Sequence, residues 1–507
     1  MTQQLPVLQL AVPLLSAPLT VVLRSRTVAW LLFLLSALAA LGCAVALAVR
    51  VNSGGTLRYA VGGWQPPYGI EFVVAGFNVP VLLLVSLTAV ATALYGRRGI
   101  AAEVDDRRAP LVYACLCLTL AGLLGLSVTG DIFNAFVFLE ISSLSTYTMI
   151  AMGRHRRALI AAFRYLVLGT VGATFVLLGI GMAYAVTGTL NMADLAQRVT
   201  AEHDNRALQA AVVLLFTGLA VKMAVFPLHA WLPAAYGEAP AAVSTFLAAT
   251  GTKVAAYVLC RLAFTVFGAS LVFGKLPLDR IGLLLAVAGM LVGSAAACFQ
   301  DDLRYVLAWS SVAQIGYILA GISLATEAGV SAAYLHMIMH GVTKAALFAL
   351  AGLLLLRLGS VRITALAGLG RRLPWPAAAL AVAGIGLIGL PPSAGFVSKW
   401  ALAVALVERG QWVVLSAMLL SSLLALVYVG RIVEAVWFRR EPGAGKPKDA
   451  PGHATDGQPK RLPASMTAVV WFLVVLSLYF GIDSELPGRL ADAAASALLT
   501  GAGSGGG

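Results

Sequence analysis

The chain has 507 residues, 60% hydrophobic and only 11% charged, with a mean hydropathy of +0.90 and a formal net charge of +13. That balance excludes a soluble globular protein and points to a polytopic membrane protein. The positive charge is spread over interhelical loops and not gathered with aromatic residues, so it argues against nucleic acid and serves as a topology signal.

Fourteen apolar segments follow one another, roughly 5–23, 28–49, 77–95, 109–128, 131–152, 158–187, 207–233, 240–267, 278–298, 303–323, 329–356, 376–407, 411–438 and 466–482. The expected fold class is therefore all-α, with about 14 transmembrane helices. The first basic residue, Arg24, lies behind an apolar segment and not ahead of it, so the first helix is expected to be retained. Sorting Lys and Arg onto alternate sides puts 21 on one side and nine on the other, with five inside apolar segments. The positive-inside rule then places both termini outside the cytoplasm of a bacterial-type plasma membrane. Between segments, Tyr59 to Glu71 is a Gly/Pro/aromatic loop long enough to fold over helix ends. Residues 439–465 are expected to form a flexible cytoplasmic loop, and 483–507 a polar, disordered tail.

The five cysteines, Cys43, Cys115, Cys117, Cys260 and Cys298, all fall in apolar runs, without CxxC or Cys/His clustering. No zinc, haem or iron–sulfur site is expected from them, and no nucleotide-binding loop is present, so the chain is expected to carry no cofactor and no metal.

The buried ionisable residues carry the chemistry. Lys222 sits inside Leu214 to Pro233, where a charge costs about 2.5–3.5 kcal/mol unless it is paired or functional. Pro227, five residues on, lacks an N–H and crowds the carbonyl of Met223, so the helix should break beside the lysine. Irregular backbone at that depth is tolerated where it is buried in protein or lines a water-filled cavity. Glu140 lies mid-segment with Ser142, Ser143 and Ser145 close by. A charged carboxylate there needs a cation, and Lys222 is the candidate; a proton switch and a static ion pair both remain open. Lys253 is a second mid-helix lysine, behind small residues that leave room for water. His336, His340 and Lys344 recur at a spacing of four, which stacks them on one helix face. Imidazole titrates near about 6.5 in water, so the face suits a proton relay; structural histidines, or a metal with further ligands, are the alternatives. Lys399 follows Pro391 and Pro392 in a second proline-broken segment.

Six segments together, GDIFNAFVFLEISSLSTY, VKMAVFPLHAWLP, PAAVSTFLAATGTKVAAY, DDLRYVLAWSSVAQIGYI, HMIMHGVTKAALF and GLPPSAGFVSKW, resemble the antiporter-like family. That family holds the D-type subunits of Mrp-type cation/proton antiporters and the proton-pumping membrane subunits of respiratory complex I and membrane-bound hydrogenases. The resemblance runs from about 75 to 430. It implies two inverted five-helix repeats, here 109–267 and 278–438, each with a broken helix, after three N-terminal helices in 1–108. It also implies a row of buried charges at mid-membrane. Residue by residue, Glu140 and Lys222 resemble the family's fifth-helix and seventh-helix pair, and Lys253 its central lysine. His336, His340 and Lys344 resemble its eleventh-helix relay, and Lys399 its twelfth-helix terminal residue. The stretch AAYGEAP departs from the family pattern, so the resemblance gives Glu238 no role. GGWQPPYGIE and TGTLNMADLA resemble the D-type Mrp proteins more than complex I proteins.

The expected function is proton translocation in a multisubunit Na+ or K+/proton antiporter. The alternative is a proton-pumping subunit of a complex I-like NADH-quinone oxidoreductase or a membrane-bound hydrogenase, the part of a redox enzyme that holds no cofactor. A scaffold whose charges only fix packing is the third possibility, weakened by the cost of five buried charges. Partners are expected to be other membrane subunits, because a lateral row ending on Lys399 suits the passing of charge state to a neighbour.

Overall fold

The computed structural model describes residues 2–153, 155–440 and 462–500. After a single turn at Thr2–Gln4, α1 (Leu5–Leu23) and α2 (Arg26–Gly54) form a hairpin. β1 (Leu57–Ala60) and β2 (Glu71–Val74) pair antiparallel, with Leu57 opposite Val74 and Ala60 opposite Glu71. The Gly/Pro/aromatic stretch is thus the tip of a β-hairpin, a small exception to an otherwise helical chain. Then come α3 (Val79–Glu103), α4 (Ala109–Val128), α5 (Ile132–Ala151), α6 (Arg156–Thr187), α7 (Met192–Val199), α8 (Arg206–Met223), α9 (Leu232–Glu238) and α10 (Ala241–Arg261). The second half holds α11 (Leu278–Cys298), α12 (Leu303–Ser323), α13 (Glu327–Leu358), the four-residue α14 (Leu369–Arg372), α15 (Pro374–Ile388), α16 (Ala394–Glu408) and α17 (Trp412–Trp437). α18 (Ala464–Ile482) and α19 (Glu485–Leu499) close the described chain.

Among the described residues, twelve helices are long and apolar enough to cross a membrane. Two of the fourteen expected segments stand outside that count. α5 has 20 residues but carries Asn134, Glu140 and several serines, and segment 376–407 is divided between α15 and α16. The helices differ in how much lipid they meet. The apolar windows of α10, α12 and α13 are each 94% buried, against 33% for α2 and α18, so the first three form the interior of the bundle. Without a hydrophobic drive between helices in lipid, close approach depends on small residues. A Cβ on Gly122 of α4 would lie 2.8 Å from both the Phe138 carbonyl and the Ser142 nitrogen of α5. One on Gly179 of α6 would lie 2.7 Å from the Ala211 carbonyl of α8.

The two halves share local details. Asp131 caps α5 through the Asn134 nitrogen at 2.7 Å, and forms a bridge to Asn191, just beyond α6. Asp302 caps α12 through the Arg304 nitrogen at 2.9 Å, and forms a bridge to Arg362, just beyond α13. α6 and α13 both have 32 residues and both end on a left-handed glycine, Gly188 (φ 70°) and Gly359 (φ 73°).

The tail expected to be disordered is instead helical over Glu485–Leu499. Pro487, Ala491, Ala494, Ala495 and Leu498 recur at helical spacing and are buried, in a helix packed against α13 and α3. Of the expected cytoplasmic loop, residues 441–461 lie outside the described residues, as does the tail from 501 to 507.

Candidate functional site

The first helix break is where Pro227 places it. α8 ends at Met223, Ala224 turns left-handed (φ 61°), and helix resumes only at Leu232. A freed carbonyl, that of Val221, accepts a hydrogen bond from Trp231 Nε1 at 2.9 Å. The Trp231 ring stacks on Tyr165 at 3.7 Å, and Tyr165 meets Tyr147 edge-on at 4.5 Å. Lys222 therefore occupies the last turn of α8, where the helix dipole favours a cation. Its Nζ donates to Glu140 Oε1 at 3.0 Å, Ser143 Oγ at 2.9 Å and Tyr147 Oη at 3.3 Å. An ammonium has three protons to donate, and here each has an acceptor. The Lys222 side chain is 5% exposed and that of Glu140 22%. Glu140, Ser143 and Tyr147 stand at i, i+3 and i+7 of α5, one face of the helix.

Lys253 is enclosed in α10. Its Nζ donates to the Ala248 carbonyl of its own helix at 2.5 Å, and no carboxylate among the described residues pairs with it. Beside Lys222 lies a cavity of about 40 Å³ that Lys253 does not line. Ser142, Ser143, Thr146 and Lys222 line one side, and Leu247, Gly251 and Ala255 of α10 the other. Leu123, Leu126 and Leu139 complete walls that are more apolar than polar, with the hydroxyls gathered on the Lys222 side.

On α13 the His336 and His340 rings stack nearly parallel, 8° apart, with centroids 5.6 Å from each other. His336 Nδ1 lies 2.9 Å from Ser398 Oγ on α16. His336 Nε2 and both nitrogens of His340 have no hydrogen-bond partner among the described residues, though both rings are buried. Lys344, one turn on, donates to the Leu307 carbonyl at 2.6 Å and to Ser310 Oγ at 2.5 Å, both on α12. Among the described residues, no third His, Cys, Asp or Glu joins the two histidines.

The second break resolves its backbone differently. α15 ends at Ile388 before left-handed Gly389 (φ 85°), and Lys399 of α16 reaches back across the gap. Its Nζ donates to the Leu387 and Ile388 carbonyls, both at 2.9 Å, and to Ser422 Oγ of α17 at 3.1 Å. The lysine thus satisfies carbonyls that the break frees and sits at the negative end of the α15 dipole. Its ammonium also lies 4.9 Å from the ring centre of Tyr317, whose centroid is 5.5 Å from that of His336. The structure accordingly joins Glu140 to Lys222, and links His336, Tyr317 and Lys399 through ring contacts and Ser398. Lys253 has no charged partner among the described residues and touches neither group through a hydrogen bond.

Several participants were not singled out from the sequence. Tyr147 could have been found, since it shares the Glu140 face. Ser398, Tyr317, Ser310 and Ser422 are neutral polar residues on other segments, and no local pattern marks them. His229, inside the first break, stacks on Phe226 with Nδ1 unpartnered. Arg164, one of the five basic residues inside apolar segments, is exposed on α6 and is not part of the row. Glu238 accepts a hydrogen bond from Tyr305 Oη at 2.9 Å and so ties α9 to α12.

Residues 129–425 match the family model described as NADH:quinone oxidoreductase/Mrp antiporter, transmembrane. A Desulforudis audaxviator protein named as the N subunit of NADH-quinone oxidoreductase is 39% identical over 96% of this chain and 97% of its own length. A Bacillus subtilis protein named as the D subunit of a Na(+)/H(+) antiporter is 30% identical, over 97% of both chains. Among solved structures, a chain of the Mrp complex from Dietzia sp. DQ12-45-1b superimposes with a TM-score of 0.87 and 28% identity, covering 98% of this chain and 97% of that one. A chain of Thermus thermophilus respiratory complex I gives 0.73 and 27% identity, covering 97% and 98%. The chain belongs to the NADH:quinone oxidoreductase/Mrp antiporter transmembrane family.

Proposed function

We propose that the chain is the proton-translocating membrane subunit of a multisubunit Na+ or K+/proton antiporter. Protons move along Glu140, Lys222, Lys253, the His336–His340–Lys344 face and Lys399. The observation that carries this reading is the Lys222–Glu140 ion pair at a helix break, 3.0 Å long, followed by a buried lysine with no counter-charge. When a proton reaches Lys253, its charge repels the one on Lys222. The Lys222–Glu140 pair can answer by shifting the proton it shares across their 3.0 Å contact. Buried, unpartnered imidazole nitrogens beyond Lys253 offer the next acceptors.

A second reading has its own support: 39% identity to the relative named for NADH-quinone oxidoreductase exceeds the 30% to the one named for a Na(+)/H(+) antiporter. Under it, the same row is driven by a redox partner. Fold similarity does not separate the two readings: a chain of the membrane-bound sulfane sulfur reductase, an archaeal respiratory membrane complex, superimposes with a TM-score of 0.88, against 0.87 for the Mrp complex chain.

The matching caps, bridges and long helices support two five-helix repeats, α4 to α10 and α11 to α17. Five crossings are an odd number, so the second set enters from the opposite face and the repeats are inverted. The positive-inside pattern supports both termini lying outside the cytoplasm. Partners are other membrane subunits, and the geometry supports a docking end different from the one the sequence suggested. Lys399 is buried at 6%, whereas Glu140 is partly open on the outer face of α5. A neighbour seated against α5 would cover it and touch the row directly.

The test is reconstitution of the full complex and of this chain alone into liposomes with an internal pH dye and an imposed sodium or potassium gradient. The reading expects cation-coupled proton flux from the complex only. Robust flux from the isolated chain, abolished by Lys222→Ala, would show that it needs no partner.

A further inference from the structure

A cluster of arginines lies apart from the proton row, at the helix ends where α1 meets α2 and α3 meets α4. There a cavity of about 500 Å³ is lined by Arg24, Arg26, Arg97, Arg98, Asp106 and Trp30, among others. We infer that this cavity binds the phosphate headgroup of an anionic phospholipid.

Four guanidinium groups and one carboxylate leave a surplus of three positive charges around one space. Asp106 pairs with Arg26 at 2.7 Å, and among the described residues no carboxylate forms an ion pair with Arg24, Arg97 or Arg98. Like charges held this close repel unless an anion joins them, and a phosphodiester supplies the acceptor oxygens that guanidinium forks match. The site is also oriented. Trp30 Nε1 donates to the Ala93 carbonyl at 2.9 Å, which fixes the ring, and Arg97 Cζ lies 4.6 Å over that ring. Arg24 holds a left-handed backbone (φ 50°) at the end of α1, a place where glycine would be free of strain.

The surroundings separate a lipid from free phosphate. From the cavity, exposed apolar residues run down two helices at one-face spacing, Leu15, Leu19 and Val22 on α1 and Leu31, Leu35 and Leu38 on α2. A headgroup in the cavity would lay its acyl chains along these rails. Basic pockets between helix ends facing an anionic leaflet bind lipid headgroups on this principle.

The test uses the membrane complex containing the full chain, exchanged into nanodiscs of phosphatidylcholine with or without phosphatidylglycerol. Native mass spectrometry reads the phosphatidylglycerol retained. Each arginine near the surface is worth a factor of about five, so Arg97→Gln with Arg98→Gln should lower retention about 25-fold. Asp106→Asn, which adds to the positive surplus, should raise it about fivefold, a gain that misfolding cannot mimic. Unchanged retention in both variants overturns the inference. Inorganic phosphate is the second probe: displacement of phosphatidylglycerol by phosphate at equal concentration would assign the site to a soluble anion and overturn the lipid.

Discussion

Glu140→Gln isolates the role of the charge pair, because glutamine keeps the shape of the side chain and an oxygen for Lys222. At 3.0 Å the pair's attraction is about 5 kcal/mol at an effective dielectric of 20. Glutamate exposure of 22% and the desolvation of both groups reduce this to a net coupling of about 1–3 kcal/mol. If that coupling is released and restored as protons pass, its loss lowers the transport rate by about 5- to 150-fold. The assay is cation-dependent pH change in everted vesicles that contain the whole complex, normalised to assembled protein. Lys222→Ala should fall in the same range. The two substitutions together should do little more harm than the worse single one, because each removes the same interaction. Unchanged transport in either variant, or strictly additive losses in the double variant, would refute the reasoning. Assembly is measured first, since leaving one partner of a buried pair unpaired can cost about 3–5 kcal/mol.

His336→Ala and His340→Ala should each slow transport and change its pH dependence while the complex still assembles; activity that follows added zinc or chelator would instead make the pair a metal site. Ser422→Ala removes one of three acceptors of the Lys399 ammonium and should cost about 1 kcal/mol in thermal unfolding of the purified complex, with partial loss of transport. Gly122→Leu should separate α4 from α5 and lower the melting temperature by more than Gly42→Leu, where an added Cβ meets nothing within 4 Å.

The lysines, the histidine face and both helix breaks were legible in the sequence because each violates a strong rule. A charge in an apolar run or a proline in a long helix needs an explanation, and the structure places one at each. The pairing of Glu140 with Lys222 was only a candidate, since 82 residues separate them and contact is a property of packing. Tyr317 and Ser422, which surround Lys399, gave no signal, because neutral hydroxyls in membrane helices are common and cheap. α19 was missed for a different reason. Its Ala-rich sequence is too short and too weakly apolar to stand out, and it is helical because α13 and α3 offer it a surface. The β-hairpin hid behind WQPPYG, whose turn residues were plain while its four-residue strands were not. The exposure of Glu140 could not be read at all, and it moved the proposed neighbour from the Lys399 end of the row to the α5 face.

Lys253 tests the central claim most directly, because the proposed row runs through it from the Lys222–Glu140 pair to the histidine face. The complex is reconstituted into liposomes with a pH dye inside, a sodium or potassium gradient is imposed, and no redox substrate is added. The account predicts proton flux against the cation gradient from the wild type, and a loss to background in Lys253→Ala with assembly intact. Flux in Lys253→Ala equal to wild type would contradict the row, and flux that appears only when a quinone reductant is supplied would contradict the antiporter reading.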